Sequence, residues 1–330
     1  MLLRLRSKII VAAACVPRFA FWWSCDRIRE ADSSLRANRE ERLMGAFVSG
    51  PVVIVGGSGH VGGFLSGRLA ELPNEVRALG RRDNLVEAVR DADAVVHLAG
   101  TLQPLKGNSY EQANVETVRK TIGALAGSSV KRLVFLSYVG ADRASVNEYL
   151  RTKGEAESLV AGAMRDAVVI RSTFIYGPPD NPGPSTTPFI AHGRKPVTVL
   201  GSGAQRYAPV FVGDVAEALM RAALDPSAPT GTFALAGPDA VTVDQFVEVV
   251  NGGAVKVRHL QGRSARALAH ILPSLTPALV EVMAADSLPD TTLAADAFRL
   301  DLHSIRDVYH YAPAGRSAAS RGPIVRRRGV

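Results

Sequence analysis

Cysteine is scarce in this chain of 330 residues, and both cysteines lie near the amino terminus, at Cys15 and Cys25. The absence of cysteine from residue 44 onward excludes a disulfide framework, a thiol nucleophile and a cysteine-ligated metal in that part. The seven histidines are scattered without the paired spacing of a metal site. We therefore expect no bound metal.

A net positive charge is also missing from most of the chain, although the net charge of the whole chain is +8. The excess of lysine and arginine lies in residues 1–43 and in the arginine-rich residues 316–330, and the part between them is nearly neutral. Nucleic-acid binding requires positive charge clustered on the folded domain. The sequence therefore predicts no nucleic-acid partner.

Long apolar runs are few, and none gives firm evidence for a membrane. The apolar segment near the start is interrupted by Pro17 and Arg18, and is too short to span a bilayer. Residues 1–43 fit a signal peptide, a transit peptide or an unstructured extension, and we favour the extension. This predicts a cytoplasmic protein, with a mitochondrial or peripheral membrane location through the extension as the alternative.

A second apolar run, at residues 265–285, is interrupted by Pro273 and Pro277. It predicts helices that line a pocket.

Glycine is concentrated in residues 51–63. Four apolar residues at 52–55 predict a buried parallel strand, and residues 64–72 predict an amphipathic helix. The glycines between them let the backbone approach a pyrophosphate at the positive end of that helix. The predicted dinucleotide site comprises Gly56, Gly57, Ser58, Gly59, His60, Val61 and Gly62. We expect the His60 side chain to face solvent as a spacer.

Strand and helix patterns alternate through the first half of the chain. Strands are expected at 75–80, 93–98, 132–137 and 167–171, and helices at 84–90, 110–126 and 146–164. This alternation predicts an α/β fold, a Rossmann-type doubly wound parallel sheet. In the less regular second half, strands are expected at 197–200, 208–212 and 232–236. We also expect a helix capped by Asp214 and a helix opened by a capping box from Thr242 to Gln245.

Four segments follow from these patterns. They are an extension at 1–43, an NAD(P)-binding domain at 44–175, a smaller C-terminal α+β substrate region at 176–315, and a disordered basic tail at 316–330. We expect the substrate region to be interleaved with the Rossmann core.

The second predicted strand ends in Arg81 and Arg82. An acidic residue at this place would bind the ribose 2′-hydroxyl of NAD, whereas arginine suits the 2′-phosphate of NADP. The nearest acid is Asp83, one position further. The pair therefore favours NADP(H), and NAD(H) stays open as the alternative.

Tyr149 and Lys153 lie four residues apart, on one face of the predicted helix at 146–164. A lysine ammonium beside a phenol favours the phenolate and lowers the phenol's pKa. Such a tyrosine can exchange a proton with a substrate hydroxyl or carbonyl. The pair therefore predicts a general acid/base, and the lysine can also bind a cofactor ribose.

Several segments together have the order and spacing of one superfamily. They are the glycine turn, residues 97–100 (His-Leu-Ala-Gly), Asn114, Ser137, residues 149–153 (Tyr-Leu-Arg-Thr-Lys) and residues 171–178 (Arg-Ser-Thr-Phe-Ile-Tyr-Gly-Pro). The chain resembles the short-chain dehydrogenase/reductase superfamily, in its extended or atypical, epimerase/dehydratase-like branch. Within this branch it looks most like the group around the NADPH-binding 39-kDa-type accessory subunit of respiratory complex I.

The resemblance implies a role for each matching residue. Tyr149 is the implied acid/base, Lys153 its modulator and ribose ligand, and Asn114 a proton-relay member. The hydroxyl that polarises a substrate carbonyl in the family is then either Ser137 or missing. The implied cofactor contacts further along the chain are Leu98, Ala99, Gly100, Ser137, Tyr149, Lys153, Ser172, Thr173 and Phe174.

Two features depart from the family pattern. Tyr138 stands where many relatives have a second serine, and residues 82–93 are too few for the additional strand and the aspartate near the adenine that relatives place there. We therefore expect a sheet that lacks a strand. We expect His97 to pack at the end of its strand.

Two functions remain open at this point. The first is an oxidoreductase or epimerase/dehydratase that uses NADP(H) on a lipophilic hydroxyl or keto substrate, because residues 265–285 are apolar. The alternative is a non-catalytic, NADPH-binding structural or redox-sensing subunit. A homo-oligomer and association with a respiratory complex are both compatible with the resemblance.

Overall fold

The computed structural model describes residues 50–104, 107–260 and 275–310. The expected extension and basic tail lie outside the described residues, and so does the first part of the apolar run predicted at 265–285. Among the described residues, no helix is long and apolar enough to cross a bilayer.

A six-stranded parallel sheet forms the centre of the described chain, in the order β10-β5-β4-β3-β1-β2. The strands are β1 (Val52–Val55), β2 (Val76–Leu79), β3 (Ala94–His97), β4 (Arg132–Tyr138), β5 (Ala167–Ser172) and β10 (Gly231–Leu235). β2 lies at the edge, since residues 82–93 contain only a short helix, α2 (Leu85–Val89). The predicted loss of one strand is therefore confirmed.

Helices cover both faces of this sheet, because alternate strand residues point to opposite faces. Val52 and Ile54 pack with α1 (His60–Leu69) and α6 (Val212–Leu224) on one face. Val53 and Val95 pack on the other face with α3 (Glu116–Leu125) and α4 (Glu148–Ala163). The predicted doubly wound α/β fold is confirmed.

The second half of the chain builds a smaller layer around aromatic side chains. Its strands are β6 (Ile175–Tyr176), β7 (Val197–Leu200), β8 (Arg206–Tyr207), β9 (Val210–Phe211), β11 (Val241–Thr242) and β12 (Val257–Leu260). Its short helices are α5 (Gly183–Thr186), α7 (Val243–Val250), α8 (Pro277–Ala284), α9 (Thr292–Ala297) and α10 (Ile305–Val308). The rings of Phe174, Tyr176 and Phe246 lie in its core. The capping box predicted from Thr242 to Gln245 is present.

Two predictions about the second half are wrong. Helix α6 begins at Val212, so Asp214 lies inside its first turn and does not cap it. The buried Asp214 carboxylate instead accepts the backbone N–H of His303 at 2.8 Å and contacts His303 Nδ1 at 2.6 Å. The strand expected at 208–212 is shorter than predicted, since only Val210–Phe211 forms a strand, which pairs with β6.

The strand order reverses between β1 and β3, because the chain leaves β1 for β2 on one side and returns to β3 on the other. In open parallel sheets, ligands bind in the crevice outside the carboxyl ends of the strands at such a reversal. The turn after β1 and the segment after β3 therefore meet at the expected position for a site.

Candidate active site

The turn after β1 forms a close-packed cradle. Gly56 has a φ of +88°, a conformation that favours glycine. A Cβ on Gly62 would lie 2.6 Å from the carbonyl oxygen of Gly56, so a side chain does not fit there. Gly59 provides no side-chain cap for α1, which leaves the N–H groups of the first turn without partners in the helix. These groups, at the positive end of α1, suit a pyrophosphate.

The ends of β2 and β3 flank this cradle. A Cβ on Gly56 would lie 2.8 Å from the backbone nitrogen of Ala99, and one on Gly57 would lie 2.7 Å from the Cβ of Ala78. The structure thus brings the glycine turn against Leu98 and Ala99. The cradle matches a dinucleotide, since its backbone is bare where a phosphate must approach.

Arg81 and Arg82 follow β2 and are both exposed. The Asp83 carboxylate turns back and accepts the backbone N–H of Gly80 at 2.7 Å. The acid nearest the end of β2 is therefore engaged with the turn, whereas the two arginines that precede it in the chain are exposed.

His97 is buried at the end of β3, which confirms the packing prediction. Its Nε2–H donates to the carbonyl oxygen of Ala99 at 3.0 Å, and its Nδ1 lies 2.9 Å from Thr121 Oγ1. Burial lowers the pKa of His97 to about 3, with a further contribution from the Lys153 charge. A neutral His97 therefore fixes the backbone of the segment that flanks the cradle.

Tyr149 and Lys153 are both buried on α4, as expected for one helical face. Lys153 Nζ donates to the carbonyl oxygen of Leu136 at 2.7 Å and lies 4.2 Å from the centre of the Phe135 ring. Burial lowers the pKa of Lys153 to about 7, and Glu157 opposes this shift.

The expected lowering of the Tyr149 pKa is not found. Burial raises the pKa of Tyr149 well above its usual value, and the phenols of Tyr138 and Tyr110 add to the rise. Lys153 does not offset this rise, because its ammonium is directed at the Leu136 carbonyl. Among the described residues, the Tyr149 hydroxyl has no hydrogen-bond partner.

The side chains of Ser137 and Asn114 differ in whether their polar atoms have hydrogen-bond partners. The Ser137 hydroxyl is buried without a hydrogen-bond partner among the described residues, so it suits a polar atom of a ligand. Asn114 lies in a π-helix (Glu111–Val115), and its Oδ1 accepts the N–H of Thr101 at 2.8 Å. Its Nδ2 donates to Thr152 Oγ1 at 3.2 Å. Asn114 thus braces the segment after β3 against α4, where π-helical turns often mark function.

The segment after β5 uses its side chains within the protein. Ser172 Oγ donates to the carbonyl oxygen of Ser137 at 3.3 Å, and Thr173 Oγ1 donates to that of Ala208 at 2.6 Å. Phe174 packs in the aromatic core of the second region. A cofactor could therefore contact the backbone of these three residues, because their side chains are already engaged within the protein.

The structure contradicts the expectation for His60. Its ring is half-buried rather than facing solvent, and Nε2 lies 3.2 Å from the carbonyl oxygen of Asn181. The glycine pattern could not show this, because the contact joins segments 121 residues apart.

Helix α8 covers Tyr149, a contact that the sequence did not predict. Ala278 and Val282 of α8 form one apolar cluster with Tyr110 and Tyr149. The Tyr110 and Tyr138 rings lie 5.8 and 5.5 Å from the Tyr149 ring. The described part of the predicted apolar run therefore packs directly on the tyrosine.

Three sets of hydrogen bonds hold α8 in place. At its start, Thr276 Oγ1 lies 2.6 Å from the Tyr110 hydroxyl. In its middle, Asn147 Nδ2 donates to the carbonyl oxygen of Ala278 at 3.1 Å and to Glu281 Oε2 at 3.0 Å. At its end, Gln205 Nε2 donates to the carbonyl oxygen of Met283 at 3.0 Å.

Asn147 also caps α4, since its Oδ1 accepts the N–H of Leu150 at 3.2 Å. The sequence predicted a helix start at residue 146, which placed Asn147 inside the helix, so its capping role was not predicted. The helix begins at Glu148, and an asparagine just before a helix is a recognisable N-cap signal. One side chain therefore joins the helix that carries Tyr149 to the helix that covers it.

We predict that Asn147→Asp separates these two roles. The aspartate still caps α4, but it cannot donate to Ala278 and it repels Glu281. We expect the free energy of unfolding, measured with urea, to fall by about 1–3 kcal/mol. Asn84→Asp is the control, because Asn84 caps α2 with an exposed side chain. Equal effects of the two substitutions would show that Asn147 does not hold α8.

The chain belongs to the NAD dependent epimerase/dehydratase family, whose model matches residues 52–236. This family assignment agrees with the resemblance inferred from the sequence.

Curated relatives include two mitochondrial complex I proteins and one reductase. The chain is 29% identical over 171 residues to NADH dehydrogenase [ubiquinone] 1 alpha subcomplex subunit 9 of Arabidopsis thaliana, covering 51% of this chain and 42% of that protein. It is 28% identical over 211 residues to the NADH-ubiquinone oxidoreductase 40 kDa subunit of Neurospora crassa, covering 64% and 55%. It is 27% identical over 193 residues to a ceramide reductase of Caulobacter vibrioides, covering 52% and 60%. The chain thus spans about half the length of these relatives.

Solved structures support the fold. MoeE5 in complex with UDP-glucose and NAD has a TM-score of 0.61 at 20% identity, covering 79% of this chain and 96% of that one. RMD from Pseudomonas aeruginosa complexed with NADPH has a TM-score of 0.55 at 17% identity, covering 79% and 95%. Both similarities agree with the Rossmann-like sheet.

Proposed function

We propose that this protein is an NADP(H)-dependent oxidoreductase that acts on a secondary hydroxyl or keto group of a lipophilic substrate. The observation that carries the substrate class is the apolar cover of Tyr149. The side chains packed around it are Leu102, Tyr110, Tyr138, Leu150, Ala278 and Val282. The name of the Caulobacter relative, ceramide reductase, supports a lipophilic substrate.

The cofactor would lie on residues 56–62, with Lys153 toward its ribose and Arg81 and Arg82 toward its phosphate. A reduced nicotinamide, when bound, supplies the hydride. In the reduction, the carbonyl carbon accepts this hydride, while the carbonyl oxygen accepts the proton of the Tyr149 hydroxyl. The Ser137 hydroxyl can donate a hydrogen bond to the same oxygen and polarise it. The raised pKa of Tyr149 keeps the phenol protonated at neutral pH.

We predict that Arg81→Ala combined with Arg82→Ala weakens NADPH binding about ten- to hundredfold, because a charged phosphate loses its hydrogen bonds. NADH affinity should change by less than about twofold, since NADH has no 2′-phosphate. Fluorescence titration with both cofactors measures this. Arg165→Ala is the control, because Arg165 is exposed before β5, which is separated from β2 by three strands in the order β5-β4-β3-β1-β2. Equal losses for NADPH and NADH would contradict the assigned preference.

The substrate class is tested with a matched panel. Purified protein and NADPH are incubated with long-chain ketones in one set of assays and with nucleotide-sugar ketones in a second set. Oxidation of the cofactor is followed by absorbance. We expect oxidation with the apolar ketones only. Turnover of the nucleotide sugars alone would overturn the proposed substrate class.

The packing of α8 against Tyr149 also favours a second function. Because α8 lies directly on Tyr149, the cofactor can also serve as a fixed structural element in a larger assembly. The names of the two complex I relatives support this alternative, with a respiratory complex as the partner and a mitochondrial location. NADPH binding without turnover of any panel member would favour it.

A further inference from the structure

His60 connects two segments that are far apart in the chain. It is the first residue of α1 and follows Gly59 of the cradle, so its backbone belongs to the proposed phosphate site. Its side chain leaves the cradle and reaches the loop at residues 176–184, where it meets the carbonyl oxygen of Asn181 at 3.2 Å. A carbonyl only accepts, so His60 Nε2 carries the proton and donates it.

The loop at 176–184 is folded around this imidazole. The N–H of Gly177 donates to the carbonyl oxygen of Pro182 at 3.1 Å, and the N–H of Asn181 donates to that of Pro178 at 3.0 Å. Gly183 has a φ of +76°, and a Cβ there would overlap three atoms of the ring. A Cβ on Gly177 would lie 2.9 Å from His60 Cε1. The two loop positions that lie against the imidazole ring are therefore glycines, which leave room for it.

Both sides of this contact are anchored. The His60 ring meets the Phe64 ring edge-on at 5.2 Å, on the same helix as the cradle. On the loop side, the Tyr309 hydroxyl donates to the carbonyl oxygen of Gly177 at 2.9 Å. His60 thus links the cradle helix to a loop that the C-terminal part of the chain holds.

A direct phosphate contact by the imidazole fits less well. Nε2–H is already used on Asn181, and burial lowers the pKa of His60, so the ring is uncharged at neutral pH. A neutral ring wedged into a loop orders that loop and adds no charge to the cradle.

We propose that His60 is a positioning residue that fastens residues 176–184 to the phosphate cradle and thereby slows release of the whole dinucleotide. The proposal rests on the cofactor site proposed above. The segments it joins are residues 56–62, where we place the pyrophosphate, and the stretch from the end of β5 onward, which includes the implied cofactor contacts Ser172, Thr173 and Phe174. The adenosine half lies toward Arg81 and Arg82, so its binding should not depend on the link.

Dissociation kinetics test this directly. NADPH release from the full-length protein is followed by stopped-flow fluorescence, and adenosine 2′,5′-bisphosphate is titrated as a probe of the adenosine half. In His60→Ala we expect the NADPH dissociation rate to rise about tenfold, as for one lost hydrogen bond. The affinity for the bisphosphate should stay within about twofold. Equal weakening of both ligands, or an unchanged release rate, would overturn the proposal.

Three further variants separate the effect of the hydrogen bond from an effect on the fold. His60→Gln keeps an N–H donor at a similar reach, and should restore slow release more fully than His60→Phe, which only fills the space. Gly183→Ala disturbs the contact from the loop side and leaves the cradle intact, so it should also speed release. The readout needs no turnover, so an inactive protein that binds NADPH leaves this test intact. A protein that binds no dinucleotide would overturn the link and the proposed function together.

Discussion

Replacement of Tyr149 with Phe is expected to lower the rate of NADPH-dependent ketone reduction about 10²–10⁴-fold, the loss typical of a missing general acid. The ring remains in the cluster with Tyr110, Ala278 and Val282, so the fold should be unchanged. Cofactor affinity should change by less than about threefold, because the hydroxyl makes no hydrogen bond with the described residues.

Tyr110→Phe is the matched control for this substitution. The Tyr110 hydroxyl donates to the carbonyl oxygen of Leu102 at 2.9 Å and contacts Thr276 Oγ1, so its loss should affect stability more than chemistry. A Tyr149→Phe variant as active as the wild type would remove Tyr149 from the mechanism.

Replacement of Gly62 with Ala is expected to weaken NADPH binding by at least about tenfold and to lower the free energy of unfolding by about 1–3 kcal/mol. The added Cβ would lie 2.6 Å from the Gly56 carbonyl oxygen and 2.7 Å from Gly57 Cα, so the cradle has to open. Fluorescence titration and urea unfolding measure the two effects.

The neighbouring Gly63→Ala provides the control for a methyl group on α1. A Cβ on Gly63 meets no atom within 4 Å, and alanine is favoured over glycine in helices by about 0.5–1 kcal/mol. Gly63→Ala should therefore bind NADPH normally and be equally or more stable. If both substitutions behave alike, close packing at Gly62 does not shape the site.

Local signals in the sequence predicted much of the sheet. Val52–Val55, Ala94–His97 and Arg132–Tyr138 carry continuous apolar runs, which is typical of strands buried on both faces. The absence of the additional strand that relatives have could also be predicted, because residues 82–93 are too few to form it. The place of β10 beside β5 could not, because strand pairing over such a separation depends on tertiary packing.

The candidate site was predictable where it lies in short motifs and not where it depends on distant contacts. The glycine turn and the Tyr149 and Lys153 pair are fixed by spacing. The pKa of Tyr149 depends on Tyr138 and Tyr110 from other elements, so a local comparison with Lys153 gave the wrong direction. The cover by α8 and the reach of His60 to Asn181 likewise arise only when the chain folds.

The most direct test of the proposed function is transfer of the cofactor's hydride to an apolar ketone. NADPH carrying deuterium at the hydride-donating carbon is incubated with the protein and a long-chain ketone, and the product is analysed by mass spectrometry. We predict an alcohol with deuterium on the carbinol carbon for the wild type, and almost none for Tyr149→Phe. Tight NADPH binding without deuterium transfer to any ketone of the panel would contradict the proposed enzyme and favour a cofactor that is held but not used.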